Sequence, residues 1–364
     1  MHIAIDAREL LGKPTGAGRY LAGMLEAWSQ SPRRVAHTFQ LYASHPPTRR
    51  FGQLPGAPLV LPGRGGSWWE QVTLARAIGR DRPDVLFAPA YSAPIAIRTP
   101  TVLAIHDASF FAHPEWFTSR EGLRRRLLTR AAARRASTVV TISEFSRGEL
   151  LKYLDVSASR IRVVPPGVTP LVQPAATRDP GSPPRVLYVG SIFNRRHVPD
   201  LILAFAPIAH AHADARLDIV GETRTSPFQD LHALVEHEGL GAQVQLCDYV
   251  SDAQLGELFR CASVFAFLSE YEGLGLTPLE ALAAGLPSVV LDTSIAREAY
   301  GPSACFVSQG DLGACTAALD ALLFDEAARR RVLDRAPETL ARYDWARAAD
   351  DTLDLLEHAA RLNK

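Results

Sequence analysis

Short apolar runs rich in β-branched residues alternate with longer stretches of helical period along most of this chain. In the first half, strands are predicted at 2–5, 38–42, 85–88, 102–105, 138–142 and 161–164, with helices such as 18–28 and 68–78 between them. Strands alternating with helices predict a mostly parallel sheet with crossover connections. The rhythm breaks at 165–184, PPGVTPLVQPAATRDPGSPP, which holds seven prolines. Proline resists both helix and central strand, so this stretch reads as a linker. A second series follows. Strands are predicted at 185–190, 216–220, 244–247, 264–268 and 288–291, and helices near 198–211, 227–239, 252–261 and 277–285. The tail from Glu326 is helical in composition and is interrupted at Tyr343-Asp344-Trp345.

This pattern predicts an α/β protein of two doubly wound domains. The expected boundaries are 1–170, a linker over 171–184, and 185–344. Open α/β sheets bind ligands beyond the carboxyl ends of their strands, so two such sheets are expected to share a small-molecule site. The length of 364 residues agrees with two domains. Lys+Arg and Asp+Glu balance at 39 each, which leaves no global field for nucleic acid. The four cysteines form no CxxC pair and are expected to be buried, reduced thiols of a cytoplasmic protein. The N-terminus lacks the apolar core of a signal peptide, and no apolar run is long enough to span a bilayer.

The chemistry concentrates at 269–285, SEYEGLGLTPLEALAAG, where a strand turns into a helix. Gly273 and Gly275 leave the backbone bare at the turn, and Pro278 suits the helix's first turn. The amides of Leu274, Gly275 and Leu276 are expected to form an anion site at the helix start. Glu280 lies one turn inside, and Glu272 precedes it by eight residues. A strand, turn and helix with an exposed carboxylate would have the same short pattern. A glycine loop at Gly16 and Gly18 follows the first strand, but it is not a GxGxxG dinucleotide fingerprint.

The longer match changes the reading. EGLGLTPLEALAAGLPSVV resembles the E-x7-E segment of retaining GT-B glycosyltransferases of glycosyltransferase family 4. VLYVGSIFNRRH (186–197), LAIHDASFFAHPEWF (103–117), TISEFSRGEL (141–150), VVPPGV (163–168) and PTGAGRY (14–20) resemble other segments of that family, in its order. The resemblance covers essentially the whole chain. It implies a donor-binding C-terminal domain, an acceptor-binding N-terminal domain, and a helix over 345–364 that returns to the N-terminal domain.

By the same resemblance, Arg195 and Arg196 would grip the donor diphosphate, with Arg196 standing for the family's Lys and His197 for its Asn. His106 would meet the donor sugar, and Asp107 would orient it or meet the acceptor. Gly190, Gly221, Tyr249 and Val250 would line the nucleotide, although Asp248 replaces a usual Gly. No metal site is expected. The implied activity is transfer of a hexose from a nucleoside-diphosphate sugar to a hydroxyl of a glycan or lipid-linked acceptor. SWWEQ (67–71) and HPEWF (113–117) resemble mannosyltransferases, so GDP-mannose is the first donor expected and a UDP-hexose the second.

The alternatives are a catalytically silent sugar-nucleotide-binding scaffold and a twin-Rossmann oxidoreductase. The latter is disfavoured by the missing fingerprint. Residues 119–136 carry seven arginines. They read either as a peripheral contact with anionic lipid at the inner membrane face or as a solvated basic face.

Overall fold

The computed structural model describes residues 1–11, 16–46, 58–172 and 182–362. Most of the proline-rich stretch (173–181), Pro14 and Thr15 of the first glycine segment, and the last two residues lie outside the described residues. Two compact units are present. One comprises Met1–Gly167 with Tyr343–Lys364, the other Val168–Arg342.

The first unit is built on a seven-stranded sheet: β1 (His2–Asp6), β2 (Thr38–Ala43), β3 (Pro58–Val60), β4 (Val85–Ala88), β5 (Thr101–Ala104), β6 (Thr138–Thr141) and β7 (Ile161–Val163). Their order is β3-β2-β1-β4-β5-β6-β7, and every pair is parallel. All carboxyl ends therefore lie on one edge. The order reverses between β1 and β4, which is where doubly wound sheets open a ligand crevice. β4, β5 and β6 are buried at every residue, as expected of a sheet covered by helices on both faces. β3 was not expected. Three residues long and opened by a proline, it is an edge strand with too few residues to show a period.

The helix Trp345–Arg361 belongs to this unit. Ala348, Ala349, Thr352, Leu353, Leu356, Ala359 and Ala360 form its buried stripe, at three- and four-residue spacing. It packs on the helix Gly16–Gln30, where the Trp28 indole N–H donates to the Ala349 carbonyl at 2.9 Å.

The second unit has six parallel strands: β8 (Arg185–Val189), β9 (Arg216–Val220), β10 (Val244–Cys247), β11 (Val264–Phe267), β12 (Ser288–Leu291) and β13 (Cys305–Val307). Their order is β10-β9-β8-β11-β12-β13, with the reversal between β8 and β11. The edge strand β13 was also missed. The helix expected over 227–239 spans only Leu231–His237, because the Asp230 carboxylate caps it by accepting from the Ala233 N–H.

The cysteine expectation needs correcting. Only Cys315 is buried, and burial pushes its thiol up to about 12. Cys247 and Cys305 are half-buried. Cys261 is exposed at the end of a surface helix, where its thiol donates to Glu257 Oε1 at 3.1 Å. Among the described residues, no helix is long and apolar enough to cross a membrane. In the helix Ser119–Arg135, Leu123 and Leu127 are exposed on one face with Arg120, Arg124, Arg130 and Arg134.

Candidate functional site

The richest constellation lies in the second unit, at the carboxyl ends of β8 and β11. β8 runs into Gly190 and then a short turn, Asn194–Arg196. β11 runs into Ser269–Gly275 and the helix Leu276–Ala283. The β9 end approaches so closely that a Cβ on Gly221 would stand 1.8 Å from the Gly190 carbonyl oxygen. Backbone is packed against backbone here, and only glycine permits it. Gly190 itself has φ +151°.

Arg196 and Glu272 meet at this junction. The Arg196 Nη2 lies 3.0 Å from Glu272 Oε1, and its Nε donates to the same oxygen at 3.2 Å. Nη1 donates to the Ser191 carbonyl at 2.9 Å. The guanidinium lies over Phe267, 4.9 Å from the ring centroid. Burial alone would lower the Arg196 pKa, but Glu272 and Tyr188 outweigh it and hold the pKa above its ordinary value. Ser269 Oγ donates to Glu272 Oε1 at 2.8 Å. The two residues expected at different parts of the donor thus pair with each other.

Arg195 lies over Phe193, 4.3 Å from the ring centroid, and its carbonyl accepts from the Glu270 N–H at 3.0 Å. His197 has φ +47°, a conformation that side chains other than Asn, Asp and His seldom adopt. That backbone demand accounts for a His where the family has Asn. Its Nε2 faces Glu270 Oε2 at 3.3 Å, and its Nδ1 lies 3.4 Å from Asp200.

Gly275 caps the helix with φ +79°, and a Cβ there would lie 2.1 Å from the Tyr300 hydroxyl. That hydroxyl donates to the Gly275 carbonyl at 3.0 Å and sits 3.4 Å from that of Leu274. Gly273 and Leu274 are buried, and Leu276 is the first helical residue. Glu280, on the same helix, is 9% exposed. Tyr249 and Val250 follow β10 just before the capped helix Asp252–Cys261, and Tyr249 is 63% exposed.

In the first unit, His106 follows β5 and is 7% exposed. Its Nε2 lies 2.7 Å from the Pro89 carbonyl, and its ring meets Tyr20 and Tyr91 edge to face. Burial lowers its pKa, and the Pro89 hydrogen bond and Asp107 offset only part of that. Asp107 does not orient His106 by hydrogen bonding. It accepts from the Tyr91 hydroxyl at 2.6 Å and from the Ser109 N–H at 2.8 Å. Gly16 and Gly18 were expected in a loop but lie in the first turn of the helix Gly16–Gln30. A helix can start there because its first amides need no partner within the helix.

Sequence reasoning missed Ser269, Tyr300, Phe193, Phe267 and Tyr91. The aromatic residues carry no motif and read as core.

Two family profiles tile the chain. That of the group 1 glycosyl transferases matches residues 172–339, and that of glycosyltransferase family 4 matches residues 14–170. The O-antigen chain mannosyltransferase B of Escherichia coli is 24% identical over 291 residues, covering 76% of this chain and 74% of the relative. A glycogen synthase of Mycobacterium tuberculosis is 26% identical over 300 residues, covering 79% of this chain and 72% of the relative. The solved structure of Anabaena HepE with UDP-glucose superposes with a TM-score of 0.74 over 98% of this chain and 100% of that chain, at 17% identity.

Proposed function

The chain belongs to glycosyltransferase family 4, group 1, with the GT-B fold, and on that premise we propose that it transfers a hexose from a nucleoside-diphosphate sugar to a hydroxyl of a glycan or lipid-linked acceptor, with retention at the anomeric carbon. The second unit would hold the donor and the first would present the acceptor. The observation that carries this reading is the Arg196–Glu272 pair at the β8/β11 switch point, beside bare backbone at Gly190, Gly221 and Gly275.

A diphosphate entering there would draw Arg196 into sharing its hydrogen bonds, with Arg195 alongside. As the bond between the anomeric carbon and the phosphate oxygen breaks, negative charge grows on the phosphate, and both guanidiniums would stabilise it. The acceptor oxygen would bond to the same face of that carbon, and its proton would pass to the departing phosphate. Glu272 and Glu280 would accept hydrogen bonds from sugar or ribose hydroxyls. His106 would accept one from the transferred sugar.

GDP-mannose is the donor proposed first, supported by the mannosyltransferase relative. The glycogen synthase relative and the UDP-glucose held by HepE keep a UDP-hexose second. A thermal-shift series over GDP-, UDP- and ADP-sugars ranks the donors, since stabilisation grows with the logarithm of ligand concentration over its dissociation constant. Arg196→Ala should then lower hydrolysis or transfer of the best donor by about 10²–10³-fold, the scale of losing one preplaced donor to a developing charge. Arg196→Lys should retain part of the rate. A wild-type rate in a folded Arg196→Ala protein sinks the reading.

A further inference from the structure

The first unit carries a second polar constellation, at the reversal of its own sheet. Asp6 ends β1, and Arg8 follows it. The Arg8 Nε donates to Asp6 Oδ1 at 2.9 Å, and its Nη2 donates to Asp6 Oδ2 at 2.6 Å and also reaches Glu70. Glu70 is 1% exposed and accepts further from Ser92 Oγ at 2.7 Å and Gln71 Nε2 at 2.5 Å. Ser92 lies just beyond β4, and Glu70 lies beyond β3. Every member thus comes from the carboxyl edge, next to the β1/β4 switch point where a doubly wound sheet binds its ligand.

The segment Gly66–Gln71 is shaped for presentation. A π-helical turn, Trp69–Leu74, follows directly on Gly66–Trp68. Such turns are rare and frequently mark functional sites. Trp69 is fully buried, with its indole N–H donating to the Leu61 carbonyl at 2.7 Å, and the Arg8 guanidinium lies 5.4 Å from its ring centroid. Trp68, one residue earlier, is 44% exposed. Next to it, the Gly66 carbonyl accepts from Arg8 Nη1 at 3.4 Å, and Ser67 Oγ accepts from Arg124 Nη1. The residues just before the exposed indole thus carry two arginine donors, Arg8 on the Gly66 carbonyl and Arg124 on the Ser67 hydroxyl, and Arg8 is braced by the buried carboxylates of Asp6 and Glu70.

We infer that Trp68, together with Ser67 beside it and the Arg8 and Arg124 guanidiniums that reach Gly66 and Ser67, forms a saccharide subsite for the sugar acceptor. A pyranose offers a face of C–H groups that packs on an indole and a rim of hydroxyls for fixed donors and acceptors. An anion suits the place less well. Arg8, the more buried of its two cations, is already neutralised by Asp6 and Glu70, which outweigh the effect of burial and keep its charge in place. The inference deepens the acceptor half of the function proposed above and rests on it.

Saturation-transfer NMR on the full chain tests it, with methyl α-mannoside, mannobiose, cellobiose and inorganic phosphate at millimolar concentration. At least one sugar should bind the wild type. Trp68→Ala should weaken that sugar by about fivefold or more, the scale of losing one aromatic contact. Arg124→Ala, at an exposed position, should weaken it too. Both variants should keep the wild-type thermal shift with the best nucleotide sugar, which shows them folded. The inference is overturned if no sugar binds, if phosphate alone binds, or if Trp68→Ala binds the sugars as the wild type does. Absence of any nucleotide-sugar shift in the wild type would instead sink the donor assignment and leave the sugar result standing.

Discussion

The protonation of His106 follows from its neighbours. Pro89 offers only a carbonyl, so the proton of a neutral ring must sit on Nε2, which leaves Nδ1 as an acceptor. Burial lowers the pKa, so the neutral ring is favoured at the pH where an ordinary histidine is half protonated. Below about pH 6.5 the unfolded chain binds a proton that folded His106 refuses, so this residue's contribution to stability is present above that pH and declines as pH falls. An NMR titration should place the His106 midpoint below 6.5, and His106→Ala should lower transfer while also leaving the Pro89 carbonyl without its donor. A midpoint above 6.5 would refute the neutral ring. At this scale the sequence was only partly legible. The E-x7-E spacing singled out Glu272 and Glu280, yet nothing local could show that Glu272 would hold Arg196. They are 76 residues apart, and their meeting depends on β8 and β11 lying side by side.

The turn that opens the helix Leu276–Ala283 depends on a glycine that has two separate reasons to be there. Gly275 needs left-handed φ to cap its helix, and it also faces the Tyr300 hydroxyl. Left-handed backbone costs an L-residue about 1–2 kcal/mol, and the steric conflict adds to that. Gly275→Ala should therefore lower Tm by several degrees at about 2–4 °C per kcal/mol for a unit of this size, and it should weaken the nucleotide-sugar thermal shift. Tyr300→Phe should relieve part of the loss in the double variant. Gly241→Ala, where nothing lies within 4 Å of the added carbon, is the control. Equal Tm for the two alanine variants would refute the argument. Elements of this kind were legible because glycine and proline punctuate them: strand, turn and helix over 264–285 follow the expected order. The π-helical turn was not, since six residues cannot separate its period from that of an α-helix. β3 and β13 escaped for the same lack of length.

At the scale of the chain, the alternation of strands and helices implied parallel sheets, and both sheets reverse between their first and fourth strands. How the C-terminal helix is seated was not visible in its sequence, because the contact is made by bare backbone. A Cβ on Gly23 would stand 2.4 Å from the Trp345 ring, and one on Gly167 2.2 Å from it. The indole lies where two glycines from distant parts of the chain leave room. Gly23→Ala should overpack this contact at about 1–3 kcal/mol. Trp345→Ala should cost about 2 kcal/mol, less than the roughly 3–5 kcal/mol of a fully buried aromatic, because Trp345 is half-buried. Since the atoms nearest an alanine Cβ at 23 are those of the ring, the double variant should be less destabilised than the sum of the two. Two units need not unfold together, so the measurement is denaturant unfolding followed by hydrogen exchange in each. Protection should fall in Met1–Gly167 and the C-terminal helix while Val168–Arg342 keeps its own. Strict additivity, or equal loss in both units, would show that Trp345 does not hold the helix in this way.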